Sequence, residues 1–329
     1  MLNAYICEHG RLVPVELTAP GEVARVPVWI DLLNPTADED SVVERRLGLD
    51  IPTRDEMQEI ELSSRLYQED GAEFLTVTVL MNLDGEQVQK TPVTFILKGQ
   101  SLVTVRYADP RPVAAFLLRA QRPPAISCQT GELVMLGLIE ALIDRMADRL
   151  ERSVDVIDAI STEVFRSPAS SSTRKTRDLQ SVIERIGREG DLLTLIRESL
   201  VGFSRLASFH TALEGRGNRA ATREGRTRLK IIQRDASALS EHAAFLSNKV
   251  NFLLDATLGL INLEQNQIIK IFSVAAVVFL PPTLVASIYG MNFDFMPELH
   301  WPFGYPFALG LMVASAILPY LYFKRRGWL

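Results

Sequence analysis

The spacing of apolar residues changes twice along the chain. Up to about residue 125 they come in short runs rich in β-branched and aromatic side chains: Val26–Asp31 (VPVWID), Phe74–Met81 (FLTVTVLM), Thr91–Leu97 (TPVTFIL) and Leu102–Tyr107 (LVTVRY). Such runs predict strands, and Asn82–Gly85 (NLDG) predicts a turn between two of them. The polar stretches Ala37–Leu49 and Pro112–Gln121 predict helices. From about Gly131 the period becomes helical. Glu132–Phe165 has no proline and places Leu138, Leu142, Met146, Leu150, Val154 and Ile157 on one face. A break at Ser167–Thr173 (SPASSST) leads to a second amphipathic stretch, Thr176–Leu213. Gly215–Gly217 (GRG) marks another turn, and from about Ala221 nothing stops a helix before Pro281. Two long helices joined by a short polar turn make an αα-hairpin, and a third runs toward the C-terminal region. No tandem repeat of fixed period is present.

The last change is to continuous apolar sequence. Ile271–Phe293 and Trp301–Phe323 carry no Asp, Glu, Lys or Arg, and each is long enough to cross a hydrocarbon core of about 30 Å. Tyr289, Trp301, Tyr305, Tyr320, Tyr322 and Trp328 sit at the span ends, where aromatic belts form. The predicted organisation is therefore an α+β domain over about 1–125, a long-helix coiled stalk over about 126–267, and a two-helix transmembrane hairpin over 268–329, with spans near 268–289 and 304–323. The loop between the spans has no Lys or Arg, whereas Lys270 and Lys324, Arg325 and Arg326 flank them. The positive-inside rule then predicts two passes with both termini cytoplasmic. Asp294 and Glu298 would give the outer loop a negative charge that attracts cations.

The first span is the more polar. At steps of three and four, one stripe reads Asn266, Ile269, Ser273, Ala276, Leu280, Thr283 and Ser287. Small and polar residues in this order suit helix packing and equally suit a narrow wet path with greasy constrictions. Two helices per chain cannot enclose a pore, so conduction requires several copies around a symmetry axis. Pro281–Pro282 predicts a kink in mid-span.

Composition narrows the function classes. With 47% hydrophobic and 23% charged residues and a net charge of −5, disorder is excluded and a nucleic-acid partner is disfavoured. Cys7 and Cys128 lie far apart in the chain, which rules out a disulfide framework and suits a reducing compartment. Four scattered histidines form no zinc pattern. The N-terminus has no basic region followed by an apolar core, so no signal peptide is expected. No GxxxxGK[ST] and no GxGxxG after a strand is found, so neither a nucleotide partner nor an organic cofactor is expected. No nucleophile–base pair singles itself out, so no enzyme activity is expected.

The segment Tyr289–Phe293 (YGMNF) followed by Met296–Leu299 (MPEL) resembles the signature of the CorA family of magnesium and cobalt transporters. Phe279–Ser287 (FLPPTLVAS), Phe303–Pro306 (FGYP), Ile261–Phe272 (INLEQNQIIKIF) and Tyr322–Leu329 (YFKRRGWL) are similar to the same family, and the details look closest to its proteobacterial branch. The resemblance is specific over roughly the last 80 residues and agrees in outline upstream.

What this resemblance implies is a homopentameric funnel in the bacterial inner membrane that takes up Mg²⁺, and also Co²⁺ and Ni²⁺, passively under the membrane potential. The first span would continue the long helix and line the channel, with constrictions near Asn266, Ile269, Phe272, Leu280 and Thr283. The family positions favour Phe272 where the polar stripe selects Ser273. Gly290, Met291 and Asn292 would form a selectivity filter at the outer mouth, Asn292 offering its amide oxygen, Met291 packing and Gly290 letting the backbone turn. Asp255 would belong to an acidic ring at the cytoplasmic mouth. Asp84 and Asp235 are the nearest counterparts of carboxylates that sense cytoplasmic Mg²⁺, although acids are sparse around Asp235 and Arg234 adjoins it. Two rivals remain at this point: the zinc-transporting branch of the superfamily, whose tripeptide differs, and a non-conducting membrane-anchored sensor or scaffold.

Overall fold

The structure is a computed structural model describing residues 1–17, 26–85, 87–122, 127–166, 172–214, 223–292 and 296–327, with the side chains of 166, 172–178, 214, 298 and 299 excepted. The predicted turn at Gly215–Gly217 lies outside the described residues. So does the predicted break at Ser167–Thr173, except for Ser172 and Thr173, which open a helix.

The chain divides into two compact units. The first comprises Met1–Pro168 and Ser181–Leu253, and the second Ala169–Gln180 and Leu254–Leu329. In the first, seven strands form one sheet: β1 (Leu2–Glu8), β2 (Arg11–Val15), β3 (Trp29–Leu33), β4 (Leu66–Glu69), β5 (Ala72–Met81), β6 (Gln89–Lys98) and β7 (Ser101–Arg106), in the order β2-β1-β3-β7-β6-β5-β4. All neighbours are antiparallel except β3 and β7. Central strands are buried on both faces, and β7 is buried at every residue. Helix α1 (Ala37–Leu47) starts with a Thr36–Glu39 capping box and ends at Gly48 in the left-handed region at φ 59°, the conformation in which a side chain would be strained. The short α2 (Leu62–Arg65) and then α3 (Arg111–Ala120) follow.

Three long helices follow: α4 (Gly131–Arg166), α5 (Ser172–Glu214) and α6 (Arg223–Tyr289). Helix α4 buries Leu138, Leu142, Met146, Leu150 and Ile157. On α6, Leu229, Ile232, Ala236, Ala243, Leu246, Val250 and Leu253 are buried at steps of three, four and seven, the seam of a coiled helix pairing. Ion pairs cross between these helices within the first unit, including Arg149–Glu189 at 2.9 Å and Arg228–Glu140 at 2.6 Å.

The first unit also buries polar groups, and two clusters of them are built on hydrogen bonds and ion pairs, as burial demands. Trp29 Nε1 donates to Thr104 Oγ1 at 2.9 Å, Thr104 Oγ1 donates to Asp31 Oδ1 at 2.7 Å, and Arg106 grips both Asp31 oxygens at 2.8 Å. A second cluster centres on His210 of α5. Its Nδ1 lies 2.6 Å from Glu73 on β5, and its Nε2 lies 3.9 Å from Glu132 on α4. Burial alone would push the His210 pKa down, but Glu132 and Glu73 outweigh it and hold the imidazole at about 9. The ordinary unfolded value is about 6.5. The folded state therefore binds a proton that the unfolded state has lost between these values, and the stabilisation is full below about pH 6.5 and gone above about 9. The melting midpoint of the wild type should fall as pH rises through this window. A His210→Gln variant should lose that slope, and an equal slope in both would reject the assignment.

Cys7 and Cys128, far apart in sequence, are neighbours in the fold: their sulfurs are 3.2 Å apart.

Candidate ion pathway

The second unit holds the C-terminal part of α6, a one-turn 3₁₀ helix at Pro297–His300, and α7 (Gly304–Arg325). Among the described residues, two helices, α6 and α7, are long and apolar enough to cross a membrane, and only 6% of each apolar window is buried within the chain. Exposed apolar surface on this scale calls for lipid or further copies of the chain.

Helix α6 runs unbroken through Pro281 and Pro282 to Tyr289. The prolines do not end it. Each lacks an N–H, so the carbonyls of Val277 and Val278 lose their usual helical donors, a consequence the polar stripe alone does not reveal. At about 100° per residue, Asn266, Ile269, Ser273, Ala276, Leu280, Thr283 and Ser287 fall within an arc of roughly 100°, with Phe272 at its edge. All eight are exposed. Val274 is buried and Val278, Pro281, Val285 and Tyr289 are half-buried, and these occupy roughly the opposite side. The helix thus uses one face within its own chain and leaves the polar stripe outward. Thr283 Oγ1 donates to the Phe279 carbonyl at 2.8 Å, so what its hydroxyl offers outward is acceptor lone pairs.

At the end of α6 the Gly290 amide donates to the Ala286 carbonyl at 2.9 Å, and the Met291 amide to Ile288 at 3.3 Å. Gly290 is not among the residues with positive φ. Its requirement is room, since an added Cβ would lie 3.1 Å from the Ala286 oxygen. The expected tight turn is therefore a close approach of backbone to backbone. Met291 and Asn292 are exposed beyond it. Phe293, Asp294 and the side chain of Glu298 lie outside the described residues. Trp301 anchors the return, packing on Phe303 and Phe307 with ring centroids 6.4 and 5.8 Å away. At the far end of α7, Arg326 stacks over Tyr322 at 5.7 Å. Trp328 lies outside the described residues.

The acidic candidates have different settings. Asp255 is an exposed carboxylate on α6 in the second unit. Asp84 sits in the predicted 82–85 turn, where the Gly85 amide donates to Asn82 at 2.8 Å. Arg145 and Arg152 of α4 both bond its carboxylate, and Arg111 lies 3.9 Å away. The Arg152 hydrogen bond, followed by the nearby positive charges, holds its carboxyl below the ordinary range. Asp235 is half-exposed, with Arg234 at 4.0 Å. Among the described residues, no group of three or more His, Cys, Asp or Glu is placed to hold a metal ion.

Residues 25–325 match the family described as "CorA-like Mg2+ transporter protein". The chain belongs to this CorA-like family. Two of its similar relatives are the magnesium transport proteins CorA of Pectobacterium atrosepticum and of Escherichia coli K12, each 35% identical over 332 residues and covering all of both chains. The complete CorA magnesium transporter of Methanocaldococcus jannaschii superposes with a TM-score of 0.78 at 18% identity, covering 100% of this chain and 99% of that one. The CorA fold therefore extends over the whole chain, including the upstream region where the sequence resemblance is one of outline.

Proposed function

We propose that this chain moves Mg²⁺ passively across the bacterial inner membrane through a homopentameric channel-like transporter, with Co²⁺ and Ni²⁺ as further cargo. The observation that carries this reading is the outward polar stripe of α6, opposite the face the chain uses internally. Copies arranged about an axis would turn that stripe into the wall of a path. With both termini cytoplasmic, an inside-negative potential drives each positive charge by about 2.3 kcal/mol per 100 mV, and a divalent ion by roughly twice that.

Mg²⁺ gives up its waters reluctantly. A filter for it is best made of neutral acceptors that hydrogen-bond the ion's water shell. Asn292 supplies one amide oxygen per chain, backed by Gly290 and Met291, and Asp294 and Glu298 concentrate cations outside. Below, Thr283 offers acceptor lone pairs, while Leu280 and Phe272 form apolar constrictions that open by wetting. Ser287, Ala276, Ser273 and Ile269 line the path between, Asn266 provides a second amide, and Asp255 receives the ion at the cytoplasmic mouth. Gating by cytoplasmic Mg²⁺ would act through carboxylates that an ion can reach. Here Asp235 is better placed than Asp84, whose charge is already met by arginines.

Purified protein in liposomes with an internal Mg²⁺ dye should take up Mg²⁺ when the potential is inside-negative, and uptake should fall when the potential is collapsed. Flux of Zn²⁺ without Mg²⁺ would assign the zinc branch. An intact oligomer that passes no divalent ion would leave a non-conducting sensor.

A further inference from the structure

The two cysteines of this chain meet in the first unit, 121 residues apart in sequence. Cys7 is half-buried on β1, in ladder register with Leu12 of β2. Cys128 is fully buried, three residues before α4 begins at Gly131. Both stand on backbone that other contacts already fix. Cys7 lies in a paired hairpin. The Gly131 amide donates to the Gln100 carbonyl at 2.8 Å. A Cβ at Gly131 would come within 2.4 Å of the Leu102 nitrogen, so the start of α4 is seated directly on the β7 backbone. From 3.2 Å, a sulfur–sulfur bond of about 2.05 Å requires only about 1 Å of approach.

We infer that Cys7 and Cys128 are a redox modification site, a thiol pair that a small-molecule disulfide such as glutathione disulfide converts to a reversible internal disulfide stapling β1 to the entry of α4. The Cys7 thiolate attacks one glutathione sulfur, the S–S bond breaks, and one glutathione thiolate leaves. Cys128 passes its proton to that thiolate and attacks the Cys7 sulfur, breaking the mixed disulfide and releasing the second glutathione. Two protein thiols are oxidised and one disulfide is reduced to two thiols. The order follows from the surroundings. Cys7 is the reachable sulfur, whereas Cys128 is buried behind it and meets sulfur at disulfide level only once Cys7, 3.2 Å away, carries the glutathione.

The test uses full-length protein in detergent, glutathione disulfide as the oxidant, and alkylation followed by peptide mass mapping. The expected result is a single Cys7–Cys128 cross-linked peptide pair within one chain, loss of both alkylation sites, and full recovery with dithiothreitol. Cys128→Ser should stop with one glutathione on Cys7, and in Cys7→Ser the remaining Cys128 should react at least tenfold more slowly. The linked protein should melt several degrees higher, because the bond closes a loop of more than a hundred residues in the unfolded chain. A glutathione adduct that persists on wild-type Cys7, bonds between chains, thiols that stay alkylatable, or an unchanged melting midpoint in linked protein would each overturn the inference.

Discussion

Asn292→Ala should reduce Mg²⁺ uptake by about ten- to a hundredfold while the oligomer still assembles. Asn292 is exposed beyond the last turn of α6, so its loss removes no packing within the chain. What it removes is the amide oxygen proposed to accept hydrogen bonds from the hydrated ion. A hydrogen bond involving a charged partner contributes about 1.5–3 kcal/mol, which corresponds to that range of rate when lost at the barrier. Asn292→Asp separates geometry from charge, because it keeps an oxygen in place and adds a negative charge. It should hold the ion more tightly and also slow release. Dye-reported flux in liposomes, beside size measurement of the same preparation, checks both. Normal flux through a correctly assembled Asn292→Ala protein would remove Asn292 from the filter.

The largest effect on stability is expected from Arg106→Leu, about 3–5 kcal/mol. Arg106 and Asp31 are both nearly fully buried, on the two parallel central strands β7 and β3. Arg106 also bonds Asp109 and the Ala108 carbonyl. Removing the guanidinium leaves the Asp31 carboxylate in the interior with Thr104 as its remaining side-chain donor, and a buried charge stripped of its partner costs that much. The melting midpoint of the full-length protein should drop by roughly 10 °C. The double replacement Asp31→Leu with Arg106→Leu should recover most of the loss, since it leaves no orphan charge. A drop of similar size in the double variant would show that shape, not charge, is what the pair supplies.

The helices, the strands and the long-range polar contacts differ in how far sequence could reveal them. The long helices were legible because their buried positions recur at three and four, as Leu138, Leu142 and Met146 do on α4. Strands β5, β6 and β7 were legible as β-branched runs, and β3 was recognised with its start three residues early. Strands β1, β2 and β4 were not. Pro14 interrupts β2, β4 has four residues ending in Gln68 and Glu69, and β1 mixes Asn3 and Cys7 among its apolar positions. Their pairing depends on neighbours distant in sequence. The same holds for Asp31 with Arg106, His210 with Glu73 and Glu132, and Cys7 with Cys128, which no local period can signal. The α6 stripe was readable because one helix carries all of it. Its opposition to the face of buried Val274 and half-buried Val285 emerged only with the fold.

That every stripe residue stands on one face of one helix has a genetic consequence. In the proposed five-fold assembly, one codon change would alter the proposed wall at five places of equal height. If altered and normal chains mix freely in equal amounts, only about 3% of five-membered rings contain normal chains alone. A single disabling stripe substitution would then act as a dominant trait, whereas a loss of expression from one gene copy would be recessive.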